Sequence, residues 1–345
     1  MEEVLKIKDL SIIYKTDLET VYAVNGISFD LKPGETVGLV GETGAGKTTT
    51  ALGIMGLLPE RTAHITGGEI LLDGQDLTKL TDQEMQKIRG QKVSMIFQDP
   101  MTALNPVLTV GDQIGEALSL HNAEDLSKKE IEEKVGETLE MVGIPKERSH
   151  DYPHEFSGGM RQRVVIAIAL VCNPKVLIAD EPTTALDVTI QAQILSMMSD
   201  LQQKYGTSVI MITHDMGVVA ETCDRVGIMY AGKIVEYGSL KDIFTGKDHH
   251  PYTVGLFGSI PSLTEETKRL HPIEGLMPDP TNLPKGCSFS PRCEKCMEIC
   301  KTVPPSVWEK DGHKISCHLY DSHNDKVDSK GALDEPQNKQ GGQHE

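Results

Sequence analysis

Gly41-Glu42-Thr43-Gly44-Ala45-Gly46-Lys47-Thr48 follows the pattern G-x-x-x-x-G-K-[ST]. The apolar run Val37-Gly38-Leu39-Val40 precedes it, and Thr49 to Leu58 reads as a helix after it. In a strand–loop–helix setting the glycines let the backbone curl until its N–H groups face phosphate oxygens. The following helix adds the positive end of its dipole. Lys47 would reach the β- and γ-phosphates and the Thr48 hydroxyl would ligate Mg²⁺. The plain alternative is a glycine turn with an incidental lysine.

Three further groups bear on the same chemistry. Asp180-Glu181 follow the apolar run Val176 to Ala179 directly. At the carboxyl end of a parallel strand, one carboxylate there can hold Mg²⁺ and its neighbour can polarise water; the alternative is a pair of solvated turn carboxylates. Ser157-Gly158-Gly159 opens a helix running through Val171, offering exposed N–H groups to an anion or serving only as an N-cap. His214-Asp215 ends the run Val209 to Ile212; the histidine is a structural residue or a donor to a transferred phosphate.

The elements that must position these residues are legible in outline. Val4 to Ile13 alternates apolar and polar residues as a half-buried strand does, and Tyr14 closes it. Asn25-Gly26 reads as a hairpin turn with Ile27 to Leu31 returning, and Glu69 to Leu72 is a further strand. Val176 to Ala179 and Val209 to Ile212 are wholly apolar, as buried parallel strands are, with a helix over Thr189 to Tyr205 between them. Val226 to Tyr230 and Lys233 to Tyr237 form a hairpin through Ala231-Gly232. Between Gln98 and Ser157 the pattern is helical and polar, with Ile131, Val135, Leu139 and Val142 on one helix face.

The chain has 345 residues, 25% of them charged and 38% hydrophobic, with a formal net charge of −17. That balance and the lack of a Lys/Arg stripe argue against bulk nucleic-acid binding, so no nucleic-acid partner is expected. No signal peptide is read at the acidic start, and Val164 to Cys172, the longest apolar stretch, is too short to span a bilayer. A cytosolic protein is expected, with any membrane role acting through partners. Five of the seven cysteines fall between Cys287 and Cys317, which in a reducing compartment suggests a metal or cluster site rather than disulfides.

Taken together, these residues resemble the ATP-binding cassette (ABC) family from about residue 4 to 260. The resemblance places Walker A at Gly41 to Thr48, the Q-loop glutamine at Gln98, the signature at Ser157-Gly158-Gly159-Met160 and Walker B at Asp180. It makes Glu181 the catalytic carboxylate, Ala185-Leu186-Asp187 the D-loop and His214 the switch histidine, and puts Tyr14 against adenine. Nucleotide contacts are implied for Glu42, Thr43, Gly44, Ala45, Gly46, Lys47 and Thr49 as well. Mg²⁺ would lie among Thr48, Gln98 and Asp180. The implied fold is α/β, a P-loop nucleotide-binding domain over residues 1–245. It has a mixed sheet core, a helical subdomain at about 98–157 and a small Cys-rich C-terminal extension.

A narrower resemblance is to the ATPase subunits of oligopeptide and dipeptide importers. It rests on Gln98-Asp99-Pro100-Met101-Thr102-Ala103-Leu104-Asn105-Pro106, Thr109-Val110-Gly111-Asp112-Gln113, His250-Pro251-Tyr252-Thr253, Ser259-Ile260-Pro261 and the tail from Gly286-Cys287. Phe156 and Met160, unusual for the family at large, are usual there. Nickel importers share much of the pattern, and a soluble non-transport ABC ATPase is the remaining alternative. The resemblance implies a head-to-tail dimer with a copy or with a second homologous ATPase, two membrane permeases, an extracytoplasmic substrate-binding protein, and a place on the cytoplasmic face of the membrane. It also implies a [4Fe–4S] cluster on Cys287, Cys293, Cys300 and Cys317. By donor chemistry alone zinc or free thiols remain open, with Cys296 as a fifth candidate. A cluster that gates the ATPase is compatible with this. Residues 246–320 are expected to form the extension and 321–345 a disordered tail. His249-His250 reads as a solvated loop and Trp308 as packing.

Overall fold

The structure is a computed structural model that describes residues 3–121, 125–184, 186–259 and 273–321. Two sheets organise it. The smaller is antiparallel, in the order β2-β1-β4-β5, from β1 (Leu5–Lys15), β2 (Thr20–Leu31), β4 (Ala63–Leu72) and β5 (Gln75–Asp76). Between β2 and β4 come β3 (Thr36–Val40) and α1 (Lys47–Met55). The larger sheet takes β3 at its middle, with β6 (Val93–Ile96), β7 (Val176–Asp180), β8 (Ser208–Thr213), β9 (Arg225–Tyr230) and β10 (Lys233–Ser239). The pairs β9·β3, β3·β8, β8·β7 and β7·β6 are all parallel.

Because the central strands are apolar on both faces, alternate residues feed opposite layers. Ile178, Ile210 and Ile212 face the small sheet, together with Ile7, Leu10 and Ile54. Ala179, Val209 and Met211 face the helices on the other side, together with Val164 and Ile194. Those helices are α6 (Gly158–Leu170), α7 (Val188–Tyr205) and α8 (Met216–Thr222); α2 (Asp82–Ile88) lies before β6 in the chain. The segment between β6 and α6 is helical as expected, with α3 (Pro100–Ala103), α4 (Val110–Leu120) and α5 (Lys128–Met141). Val135, Leu139 and Val142 are buried there, while Ile131 is partly buried.

The expected turn at Asn25-Gly26 is a correction. Both residues lie inside β2, where Gly26 at φ +74° sits in a break of register between the Leu10–Ile27 and Ser11–Asn25 pairs. The dipeptide makes a bulge. The hairpin turns instead at Thr16–Glu19, where the Thr16 hydroxyl accepts the N–H groups of Leu18 and Glu19 at 3.3 and 3.2 Å.

Beyond β10 come α9 (Leu240–Thr245), α10 (Pro251–Gly258), α11 (Glu298–Thr302), β11 (Val307–Lys310) and β12 (His313–Ser316). The β11–β12 hairpin continues the large sheet, β12 pairing antiparallel to β10. Sequence reading missed this hairpin because its strands are four residues each and mostly polar. His249-His250 is a second correction: His250 is 1% exposed and caps α10 by accepting the Tyr252 N–H at 3.0 Å. The physical reason is Glu236, a fully buried carboxylate on β10. It accepts the His250 N–H at 2.8 Å and pairs with His249 Nδ1 at 2.9 Å and His313 Nε2 at 3.0 Å. Trp308 is only partly buried, packed edge-on against His313 and tilted against Tyr320. Ala185, Ile260-Pro261 and the tail beyond Asp321 lie outside the described residues.

Candidate functional site

The phosphate loop connects β3 to α1 and is shaped by close approaches. A Cβ on Gly41 would lie 2.2 Å from the Met229 carbonyl oxygen, and one on Gly46, at φ +100°, 2.4 Å from that of Ala23. Only glycine fits either place. The loop leans on the β9–β10 turn, where Ala231 and Gly232 both have positive φ, as a two-residue hairpin turn requires. The Gly232 N–H donates to the Ala45 carbonyl at 3.0 Å, and Asn25 Nδ2 ties the same turn to β2 at 3.1 Å.

Lys47 is 6% exposed, with Nζ 2.6 Å from the Gly41 carbonyl and 3.1 Å from that of Glu42. Burial lowers its pKa, opposed by the charges of Glu181, Asp180 and Glu42. Asp180, 2% exposed at the end of β7, shares a hydrogen bond with the Thr48 side chain. Burial raises its pKa above the ordinary carboxylate range, and the neighbouring Glu181 adds to that. An ammonium and a carboxylate are thus held with little water beside a cradle too narrow for side chains. Those hard donors fit a nucleotide phosphate chain and Mg²⁺, which a carboxylate and a hydroxyl can ligate.

Glu181 has φ +48°, uncommon for a residue with a Cβ. Its N–H still continues the β7–β8 ladder to the Ile212 carbonyl at 2.8 Å. Its carboxylate accepts from Gln98 Nε2 and the Thr184 hydroxyl, both at 3.0 Å, and pairs with His214 Nδ1 at 3.0 Å. Burial alone would raise the Glu181 pKa, but the bonds from His214, Thr184 and Gln98 outweigh it and hold the group ionised. Three separate chain segments therefore meet at one carboxylate. Gln98, expected among the Mg²⁺ ligands, is engaged with Glu181 here. Thr184 was not anticipated.

Tyr14 reaches Thr49 at the start of α1, hydroxyl to hydroxyl at 3.4 Å. Ser157 caps α6, accepting the Met160 N–H at 3.4 Å, and is exposed with Gly158. Among the described contacts none joins Ser157, Gly158 or Gly159 to the phosphate loop; Gly159 packs instead on Ile190 of α7. Phe156 and Met160 share one unanticipated partner. The Arg148 guanidinium lies 4.2 Å from the Phe156 ring centre and 3.6 Å from the Met160 sulfur.

The family profile described as ABC transporter matches residues 24–184, and that described as oligopeptide/dipeptide transporter, C-terminal region, matches 235–300. The chain is 54% identical to the dipeptide transport ATP-binding protein DppD of Bacillus subtilis, over 93% of this chain and 96% of that protein. The chain belongs to the ABC transporter ATP-binding subunits of the oligopeptide/dipeptide class. The oligopeptide transport ATP-binding protein OppD of Escherichia coli is another such relative, 48% identical over 92% of this chain and 93% of its own length. Among solved structures, a dimeric ATP-binding cassette in a post-hydrolysis state bound to ADP and Pi matches with a TM-score of 0.61 and 31% identity. It aligns with 68% of this chain and 98% of its own. CbiO1 of Clostridium perfringens, part of the ABC transporter complex cbiONQ, matches with a TM-score of 0.62 at 30% identity, over 72% and 92% of the two chains. The fold is that of an ABC cassette, and this ABC subunit is an ATPase.

The cysteine segment of the ABC chain differs. Burial, reinforced by the neighbouring Cys287 and Cys300 thiols, raises the pKa of Cys293 to about 11 and that of Cys317 to about 12. The four share one region, yet the described residues hold no group of three or more His, Cys, Asp or Glu side chains placed to grip a metal ion. As placed, the thiols do not form a ligand set. Nor does any helix among the described residues have the length and apolarity to cross a membrane.

Proposed function

We propose that this ATPase powers uptake of oligopeptides or dipeptides through two membrane permease partners, held at the cytoplasmic face of the membrane. The observation that carries the catalytic part is the Glu181 carboxylate, ionised by Gln98, Thr184 and His214 beside the Asp180–Thr48 pair. Peptide as the transported solute is supported by the names of the relatives at 48–54% identity. Nickel or another solute is the weaker reading on that ground.

In this reading Thr48, Gln98 and Asp180 hold Mg²⁺, which offsets charge on the phosphates. Lys47 and N–H groups of the phosphate loop hold the β- and γ-phosphates. Glu181 orients the attacking water and accepts its proton, and His214 donates to the γ-phosphate. Tyr14 stacks on adenine. The exposed Ser157-Gly158-Gly159 completes the site of a second cassette, either a copy or a homologous subunit, in a head-to-tail dimer. A substrate-binding protein delivers the peptide from outside. Residues 98–157 form the arm that meets the permeases, and 246–320 a regulatory extension.

We also propose a [4Fe–4S] cluster on Cys287, Cys293, Cys300 and Cys317, with zinc as the alternative. The number and softness of the donors and their mutual influence support it, although their present placement does not. Iron, sulfide and zinc analysis of anaerobically purified protein tests this; neither metal bound at one equivalent removes both options. The transport reading is tested by purifying tagged chain from solubilised native membranes and measuring peptide-stimulated ATP hydrolysis on the complex. Two polytopic proteins, a second cassette and stimulation are expected. Recovery with ribosomes or nucleic acid and no peptide response would contradict it.

A further inference from the structure

The second residue of the phosphate loop is a glutamate, a like charge beside the groups proposed above to hold polyanionic phosphates. Its charge is felt at Lys47, whose pKa it pushes up. An unpaired carboxylate there opposes phosphate binding. Something must hold it.

The partner comes from the other end of the chain. Arg292 Nη1 lies 3.1 and 3.0 Å from the two Glu42 carboxylate oxygens. The Arg292 side chain is 6% exposed, and its other arms grip the extension itself. Nε donates to the Glu274 carbonyl at 2.9 Å and Nη2 to the Ile273 carbonyl at 3.2 Å. The same face of the loop carries two more contacts from beyond β10. Tyr252, fully buried, accepts the Glu42 N–H at 3.0 Å, and Met277 lies against Gly44. Since Lys47 Nζ bonds the Glu42 carbonyl, one residue joins the guanidinium of the extension to the ammonium of the phosphate loop.

We propose that Arg292 is a positioning residue for nucleotide binding, which neutralises Glu42 and holds it on the extension's side of the loop. A loop that carries this glutamate binds nucleotide well only when the extension is docked and the pair is made. The coupling is reciprocal, so bound nucleotide stabilises the docked extension in turn. Arg292 acts through Glu42. The inference rests on the loop being the nucleotide site and names a control on that site.

The test is steady-state ATP hydrolysis by the assembled transporter carrying full-length variants, at low and at 0.3 M salt. Arg292→Gln is expected to raise the KM for ATP about tenfold at low salt and less at high salt, with kcat within about twofold. Glu42→Gln, which removes the offending charge and leaves that of Arg292 to the phosphates, is expected to lower KM. Glu42→Gln combined with Arg292→Gln is expected to return KM to within about threefold of the unaltered chain. That reversal separates an electrostatic role from lost packing, which the second substitution would not repair. Unchanged KM in Arg292→Gln, a KM in Glu42→Gln that is not lowered, or a double variant as poor as Arg292→Gln would each overturn the proposal. Should Arg292→Gln not fold, the sign of the Glu42→Gln effect decides alone. Failure of the nucleotide-site reading is distinct: Lys47→Ala would then hydrolyse ATP normally, whatever Arg292 does.

Discussion

The phosphate-loop region and the cysteine-bearing extension are built on opposite principles. Around Lys47, Asp180 and Glu181 the strands stop where the chemistry begins, and each group is held by backbone constraint. Gly41 and Gly46 admit no side chain, Glu181 is set at positive φ, and three donors fix its carboxylate. In the extension Cys300 sits in the short α11 and the other three thiols on the loops around it, without a shared ligand geometry among the described residues. The first region is held by its own backbone and side chains, the preorganisation that makes electrostatic stabilisation most effective. The second takes its order from what it docks on: β10 through β12, the buried Glu236 and the Glu42–Arg292 pair. The extension is thus placed to sense the phosphate loop rather than to react.

Removing the preorganised side should have the larger effect. Lys47→Ala is expected to weaken ATP binding by about a hundredfold or more while leaving the fold intact, read by equilibrium binding and thermal unfolding. Binding within threefold of the unaltered chain would place the phosphates elsewhere. On the other side, Glu236→Gln removes the charge that pairs His249 and His313 and one of the two acceptor oxygens, at a cost of about 3 kcal/mol. Hydrogen exchange should show the loss in β12 and α10 but not in β8; equal loss in all three would erase the distinction between the regions.

A pH series sharpens the same contrast. The bond to Glu236 raises the His313 pKa, with burial opposing. A raised histidine pKa contributes stability that is complete below the ordinary histidine value and is lost as pH climbs through the raised one. Burial pushes the Glu236 pKa up, but its histidine partners more than reverse this. Its contribution is present above the ordinary carboxylate value and lost as pH falls through the depressed one. His250, pushed by burial down to about 4, stays neutral above that. Protection of β12, corrected for intrinsic exchange, should therefore peak between about pH 5 and 6.5 and decline toward pH 9. β8 should show no such peak, and a flat β12 profile would remove the histidine–carboxylate linkage. The smallest effect is expected at Tyr14→Ala, a rise of about threefold to tenfold in the KM for ATP with kcat unchanged. A fall in kcat alone would mean that Tyr14 acts on the chemical step.

The sequence reveals the first region far better than the second, for a physical reason. A phosphate loop and a strand-end carboxylate are local devices whose residue types and spacing are set within one strand–turn–helix unit. Glu42 and Arg292 are 250 positions apart, and Glu42 and Tyr252 are 210 apart, so no window on the chain joins them. The lone arginine between Pro291 and Cys293 was the available signal. His249-His250 misled because its partner, Glu236, reads as an ordinary polar residue on a strand edge. Only β12 covering that edge makes it buried. Asn25-Gly26 misled differently: a dipeptide that suits a tight turn equally suits a bulge, and the neighbouring strand β1 selects between them.

The most direct measurement is nucleotide retention set against turnover for Glu181→Gln in the assembled transporter with Mg²⁺. The expected result is phosphate release slowed by about a thousandfold with ATP, not ADP, recovered from the protein at undiminished affinity. Near-normal phosphate release, or loss of ATP binding together with turnover, would contradict the assignment of Glu181 as the group that acts on water.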